Sequence, residues 1–404
     1  MAVAARAVAL CVVAAHALQY HVAPMQTYTN AHLNFLLRRL APDVTLWTEM
    51  EKAADVLACD DATLASRLVA GGADDAPPVL QLGGNDARAL AAATRRACNL
   101  RADLREVNIN AGCPAIASGG ADYGATLMRD AAATRRLVEA VRDAAPPSCA
   151  VSLKCRAGVR ETWSDEAPAR YEELHAFVAE TSSSGCLDHV VVHCRLAVLA
   201  GLAPGANRCR PPLHPDFARR LARDFPALRV TRNGGIAALG GGARGGRGVA
   251  RAVEPRLHRE DLVALDDDDG IIIGSFGDRD ARDDGLDGVM AGRAVLRRPL
   301  DLGCAADALG AYADYVRTSP APAPALAAPL ALALEQLRDD GADDDDDALA
   351  PLADAARHLG VAWEPRGSAG DLRRLAKGLA KVMGKKVYNK VVRNRNEGVP
   401  EDVT

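Results

Sequence analysis

Glu106-Val107-Asn108-Ile109-Asn110-Ala111-Gly112-Cys113-Pro114 is the stretch on which the fold turns. Val107 and Ile109 give it the character of a buried strand, Asn110 closes it, and the Gly112-Cys113-Pro114 corner turns a thiol out of the sheet where a loop begins. Taken alone, such a cysteine is more often a small buried hydrophobe than a reactive group. Its setting gains meaning because similar runs, each ending in polar or flexible residues, recur along the chain.

About eight strand-like runs precede residue 300, at 19–25, 43–49, 78–83, 104–110, 149–154, 188–193, 228–233 and 286–291. Ala/Leu/Arg-rich helical stretches alternate with them, including 86–100, capped by Asn85 or Asp86, and 130–143. Strand alternating with helix over roughly 280 residues predicts an α/β fold, a (β/α)8 TIM barrel at 19–302, followed by an all-helical C-terminal domain at 303–404. An open doubly wound sheet is the alternative.

The candidate strands end, in order, in Pro24-Met25, Glu49-Met50, Gln81, Asn110 with Cys113, Lys154 with Arg156, His193 with Arg195, Asn233-Gly234-Gly235 and Gly292-Arg293. Each has a plain structural reading: Gln81 as a satisfied amide, Lys154 as a snorkelling lysine, His193 as a hydrogen-bonded core histidine. A barrel gathers all the strand ends around one mouth, where together they line a single pocket.

Composition sets the outer limits. With 404 residues, 25% charged and 49% hydrophobic, the chain is of enzyme size and can bury one large core or two domains. The ten cysteines include no CxxC pair, which disfavours a zinc module or a disulfide framework and favours reduced thiols; no metal is expected. The net charge of -4 conceals a basic stretch at 371–396, in which Arg373, Arg374, Lys377, Lys381, Lys385, Lys386, Lys390, Arg393 and Arg395 face the single acid Asp371. That stretch reads either as a helix offering a face to a polyanion or as a solvated surface.

Residues 1–18 resemble a targeting segment too short to cross a bilayer, so no membrane association is expected and both cytoplasmic and organellar locations stay open. Residues 237–285, with a Gly-Arg-rich run and Asp266–Asp269, read as a low-complexity insertion in the barrel. Residues 318–350, rich in Pro, Ala and Asp, read as a disordered stretch within the helical domain.

Barrels commonly hold phosphate with the loops after their seventh and eighth strands, where Asn233-Gly234-Gly235 and Gly292-Arg293 stand. A phosphorylated cofactor is implied, with Lys154 and His193 between it and the thiol and Gln81 facing them. A flavin suits this cradle, since its pyrimidine edge needs a donor such as Gln81 and a cation such as Lys154. A thiol across the substrate from the flavin would then supply a proton while hydride comes from N5.

These residues fall into a set: Val22-Ala23-Pro24-Met25, Thr48-Glu49-Met50, Gln81-Leu82-Gly83-Gly84, Asn108-Ile109-Asn110-Ala111-Gly112-Cys113-Pro114, Lys154-Cys155-Arg156, His193-Cys194-Arg195 and Asn233-Gly234-Gly235-Ile236. The set resembles the tRNA-dihydrouridine synthases. Gly201-Leu202-Ala203-Pro204 through Asn207-Arg208 and Pro211-Pro212-Leu213 is similar to the A-type subfamily, which acts at positions 20/20a. The resemblance covers about residues 20 to 300. Gly205 stands where that subfamily usually has lysine, and its C-terminal arginine signature is only loosely echoed by Lys385-Lys386 through Arg393.

The resemblance implies an FMN-bound barrel, NADPH as reductant, and reduction of a D-loop uridine of tRNA by a monomer. It assigns FMN to Ala23, Pro24, Met25, Gln81, Lys154, His193, Asn233, Gly234, Gly235, Gly292 and Arg293, and the proton to Cys113. Asn110, Arg208, Lys385, Lys386 and Arg393 would touch tRNA. Two other readings remain: a flavin barrel acting on a free pyrimidine or enone, and a non-catalytic tRNA-binding factor.

Overall fold

The computed structural model describes residues 18–71, 75–114, 122–164, 167–236, 285–341, 347–361 and 370–395. Apart from Leu18, Gly285 and Asp347, the targeting segment, the barrel insertion and the aspartate run 343–347 lie outside the described residues.

Eight parallel strands form one sheet: β1 (Gln19–Val22), β2 (Trp47–Lys52), β3 (Val79–Gly83), β4 (Glu106–Asn110), β5 (Ala150–Arg156), β6 (His189–His193), β7 (Arg229–Asn233) and β8 (Gly288–Ala291). Neighbours in sequence are neighbours in space, and β8 pairs back onto β1. The remaining gap closes through Thr45, whose N–H donates to Tyr20 O at 2.8 Å and whose carbonyl accepts from Val22 N at 3.0 Å. The ring is therefore a (β/α)8 barrel, with every strand inside a predicted run or overlapping it by most of its length except β2, which shares only 47–49 with the run 43–49 and continues to Lys52.

Helices α1 (Ala31–Leu40), α2 (Ala53–Ala58), α3 (Asp61–Arg67), α4 (Ala87–Leu100), α5 (Ala131–Ala144), α6 (Tyr171–Ser182) and α7 (Pro215–Asp224) return the chain between strands. Short polar side chains start several of them: Asp86 accepts from Ala89 N at 2.7 Å and Asp130 from Ala133 N at 2.8 Å, satisfying first-turn amides. Val107, Ile109, Val151, Leu153, Val190 and Val192 point outward and pack with Leu90, Leu137, Val138 and Leu174 of these helices.

The alternate residues point inward, and most are polar. Glu106 on β4 reaches His189 on β6 and Arg229 on β7, which it can do only across the barrel's interior. The few apolar residues of that interior include Trp47, Val79, Val191 and Met290.

After α8 (Arg293–Arg297) comes a helical domain: α9 (Ala305–Thr318), α10 (Ala323–Asp339), α11 (Leu349–His358), α12 (Gly370–Met383) and α13 (Lys385–Arg395). Its core corrects the reading of 318–350 as disordered over the described residues 318–341 and 347–350. Helix α10 buries Leu326, Leu330, Leu332, Leu334 and Leu337 among α1, α11, α12 and α13. Pro322 and Pro324 sit at its start, where a missing N–H is harmless. Pro329 lies within the helix and removes one intrahelical bond, a loss that burial of five leucines outweighs. A second difference is at 371–396, read as one helix: Gly384, with φ of +79°, breaks it into α12 and α13. No described helix is long and apolar enough to cross a membrane.

Candidate functional site at the carboxyl mouth of the barrel

Strands β3 and β4 present Gln81 and Asn110 to each other. Asn110 Nδ2 donates to Gln81 Oε1 at 2.8 Å, and Asn110 Oδ1 accepts from Gly112 N at 3.1 Å and Cys113 N at 3.0 Å. The strand-end asparagine thus builds the corner on which the thiol is carried. Read from sequence as a tRNA contact, Asn110 is buried, and one amide hydrogen is what it has left for a ligand.

Beside this corner stands Lys154 of β5, whose carbonyl accepts from Ala111 N at 2.8 Å. No hydrogen bond or ion pair holds its ammonium among the described residues. Burial, then the neighbouring Arg156 charge, lowers its pKa to about 8, with Cys155 first and then Cys113 and Cys194 opposing that shift. A lysine so placed stays charged at neutral pH yet has its donors open to a ligand.

Arg156, barely noticed in the sequence, ties the mouth together. Its Nε donates to Gly112 O at 3.0 Å and its NH1 to Leu196 O at 3.2 Å and Asn207 O at 3.0 Å. The thiol corner, the loop after β6 and the turn carrying Arg208 are therefore held by one guanidinium. Asn207 fixes that turn further, bonding Val198 N, Val198 O and Leu202 O. Burial first, with Arg208, Arg195 and Arg293 nearby, brings the Arg156 pKa down to about 9.

His193 ends β6 beneath Gly234. A side-chain carbon on Gly234 would sit 2.6 Å from His193 Cδ2, and Gly234 holds a φ of +95°. Burial, then the charges of Arg156, Lys154, Arg195 and Arg293, pushes the His193 pKa well below its ordinary value, so the ring is neutral at physiological pH. Asn233 Nδ2 donates to Met290 O at 2.8 Å, joining the ends of β7 and β8. Gly292 backs onto Ala23 and Met25, whose loop is closed by Met25 N donating to Thr29 Oγ1 at 2.9 Å.

The barrel therefore brings the predicted cofactor residues to one mouth: Ala23, Pro24 and Met25 with Gly292 on one side, Gln81 with Cys113 opposite, and Lys154, His193, Asn233, Gly234 and Arg293 between. Lys385, Lys386 and Arg393 lie elsewhere, exposed on α13. That helix packs against α8, which begins at Arg293, so α13 lies alongside the mouth. Sequence reasoning missed Glu106, Asn108, Ser152 and His189, which lie in the barrel interior below the site. The strict polar/apolar alternation of Glu106-Val107-Asn108-Ile109-Asn110 was the available signal.

The donor set fits a phosphorylated heteroaromatic group. Gln81 keeps one amide hydrogen, Lys154 has three donors to offer, and the cations around His193 favour an anion. Fold and mouth define a (β/α)8-barrel protein with a cation-rich, amide-lined site at its strand ends.

The family model for dihydrouridine synthase matches residues 21–243. A tRNA-dihydrouridine(20/20a) synthase of Pseudomonas putida is 39% identical over 221 residues, covering 55% of this chain and 61% of that protein. The same enzyme of Xanthomonas campestris is 34% identical over 304 residues, covering 75% and 78%, and that of Escherichia coli is 34% identical over 226 residues, covering 55% and 63%. The chain belongs to the dihydrouridine synthase family, and its match to the Pseudomonas putida relative spans 61% of that relative's length.

Proposed function

We propose that this protein reduces a uridine of the tRNA D-loop to 5,6-dihydrouridine, using FMN held at the barrel mouth and NADPH as reductant. The observation that carries the reading is the Cys113 corner set against Lys154 and Arg156, within a mouth that offers open donors and positive charge. The names of the curated relatives support tRNA and positions 20/20a. When bound, FMN supplies hydride to one carbon of the pyrimidine double bond and is restored by NADPH.

The chain's own residues do the rest. Cys113 Sγ gives a proton to the adjacent carbon, so the thiol must be protonated when substrate arrives. Asn110 and Arg156 hold that sulfur in place through the backbone of Gly112 and Cys113. Lys154 and Gln81 would hold the electron-rich edge of the ring system, and the Gly234-Gly235 turn with Arg293 would hold its phosphate. Lys385, Lys386, Lys390 and Arg393, exposed on α13, would take the tRNA backbone, and Arg208 a phosphate nearer the base. The target uridine leaves its stack to enter. This basic face favours tRNA over a free pyrimidine as substrate.

Purified protein should be yellow, bleach with NADPH and regain colour with unmodified tRNA, while Cys113→Ala should bleach normally but form little dihydrouridine. Protein that stays colourless after reconstitution with FMN would overturn the reading.

A further inference from the structure

The mouth carries a flat apolar surface that the proposed chemistry leaves unused. Within β3, Val79 and Gln81 turn into the barrel, while Leu80 and Leu82 turn out toward the helices. Gly83, next in this alternation, therefore faces the mouth, about 7 Å beyond Gln81 along the strand. It has no side chain to fill the space there. Two neighbours fill it instead: a carbon placed on Gly83 would lie 2.8 Å from Met50 Sδ and 3.0 Å from Tyr123 Cε2. The half-buried Tyr123 ring thus lies on the mouth side of the β3 end, at the rim above Gln81.

The backbone holds the ring in this place. Two residues beyond Tyr123, Ala125 N donates to Cys113 O at 3.0 Å, so the segment bearing the ring is tied back to the corner bearing the thiol. Ala125 is buried, and Leu127 O accepts from the Thr134 hydroxyl of α5 at 2.8 Å, which anchors the far side of the same turn. A tyrosine fixed in advance offers a large contact area at a low entropic cost.

Amides and cations recognise the edges of a base and its phosphates; an aromatic ring recognises the face. In the proposed reaction the target uridine has the flavin on one face and the thiol across from it. A ring at the rim therefore meets the nucleotide beside the target, which loses its stacking partner when the uridine is extruded.

We propose that Tyr123 stacks on the base flanking the target uridine, replacing the neighbour which that base has lost and holding the D-loop strand at the mouth. The inference rests on the proposed tRNA reaction and adds a second nucleotide to what the mouth binds.

Tyr123→Leu keeps apolar bulk against Gly83 and Met50 but removes the flat ring, and Tyr123→Phe keeps the ring. With unmodified tRNA, Tyr123→Leu should lower kcat/KM for dihydrouridine formation about tenfold at unchanged FMN occupancy, while Tyr123→Phe stays within about twofold of the wild type. Transcripts with an abasic site immediately 5′ or 3′ of the reduced uridine complete the test. On the stacked side, the abasic site and Tyr123→Leu should not be additive. Additivity on both sides would overturn the proposal, as would a Tyr123→Leu rate within about twofold of the wild type or an equal loss in Tyr123→Phe. A fall in FMN occupancy matching the fall in rate would also overturn it, making the ring a wall of the cofactor site. If the wild type forms no dihydrouridine, the reaction reading falls, and the Leu and Phe variants are compared by tRNA affinity in filter binding. A wild type that binds no tRNA would overturn both.

Discussion

The Tyr28 hydroxyl donates to the Val391 carbonyl at 3.4 Å, joining residues 363 positions apart. Tyr28 belongs to the loop leaving β1, where its N–H and that of Thr29 both donate to Met25 O at 3.0 Å. Val391 lies on α13, whose outer face carries the exposed lysines and Arg393. A wall of the barrel mouth and the basic helix thus share a bond. Tyr28→Phe removes one long hydrogen bond, so stability should fall by less than about 1 kcal/mol. tRNA affinity should fall several-fold while FMN affinity holds, measured by filter binding and flavin fluorescence. A change in FMN affinity alone would show that the contact does not orient the helix.

Lys154 gives the mouth a pH limit. Its pKa is lowered to about 8 by burial and by Arg156, so the ammonium is charged below pH 8 and neutral above. FMN affinity should therefore fall as pH rises from 7 to 9. For folding the sign is opposite: a buried ammonium penalises the folded state at low pH, and that penalty is relieved between pH 8 and its ordinary value of 10.5. Binding titrations across this range on wild type and Lys154→Met make the test; the same decline in the variant would acquit the lysine.

The neighbouring glycines should respond unequally. A methyl on Gly234 meets His193 Cδ2 at 2.6 Å and Leu213 Cδ1 at 3.2 Å, on a backbone with φ of +95°. On Gly235 it meets Leu213 Cδ2 at 2.4 Å, the end of a side chain that can turn aside. Each substitution should cost about 1–3 kcal/mol through backbone strain. Gly234→Ala should in addition displace His193 and lower flavin occupancy, whereas Gly235→Ala should leave occupancy near that of the wild type. Equal occupancy in both would mean that His193 does not shape the site.

Much of this arrangement is legible in the chain. Strand positions follow from short β-branched runs, and the mouth follows from reading what ends each run, because parallel strands in a barrel all end at one face. The interior was harder to see. A strand such as Ala150-Val151-Ser152-Leu153-Lys154 announces alternation, but nothing local says that Ser152 accepts from Asn108, since that partner lies more than forty residues away. Helix α10 was misread for another reason. Proline and alanine dominate its composition, while the leucines that hold it in place signal only once α1, α12 and α13 exist to cover them.

Glu49 makes the protein's stability depend on pH in a direction unusual for a carboxylate. It sits on β2 near the mouth, within electrostatic reach of the Thr27 backbone, and among the described residues its buried Oε1 has no hydrogen-bond partner. Thr27 itself holds a φ of 71°, a left-handed conformation that a β-branched residue rarely adopts. Burial, then repulsion from Glu51, raises the Glu49 pKa from 4.5 to about 7. The folded protein thus binds the proton more tightly than the unfolded chain. Its contribution to stability is complete below pH 4.5 and is lost as pH rises through 7. Glu49→Gln keeps the side chain's size and removes the ionisation. Wild type and variant should be similar near pH 4.5, and at pH 8 the variant should be more stable, on the order of 2 kcal/mol. Urea unfolding at both pH values measures this, and a stability difference that does not change with pH would show that Glu49 is solvated like an ordinary surface carboxylate.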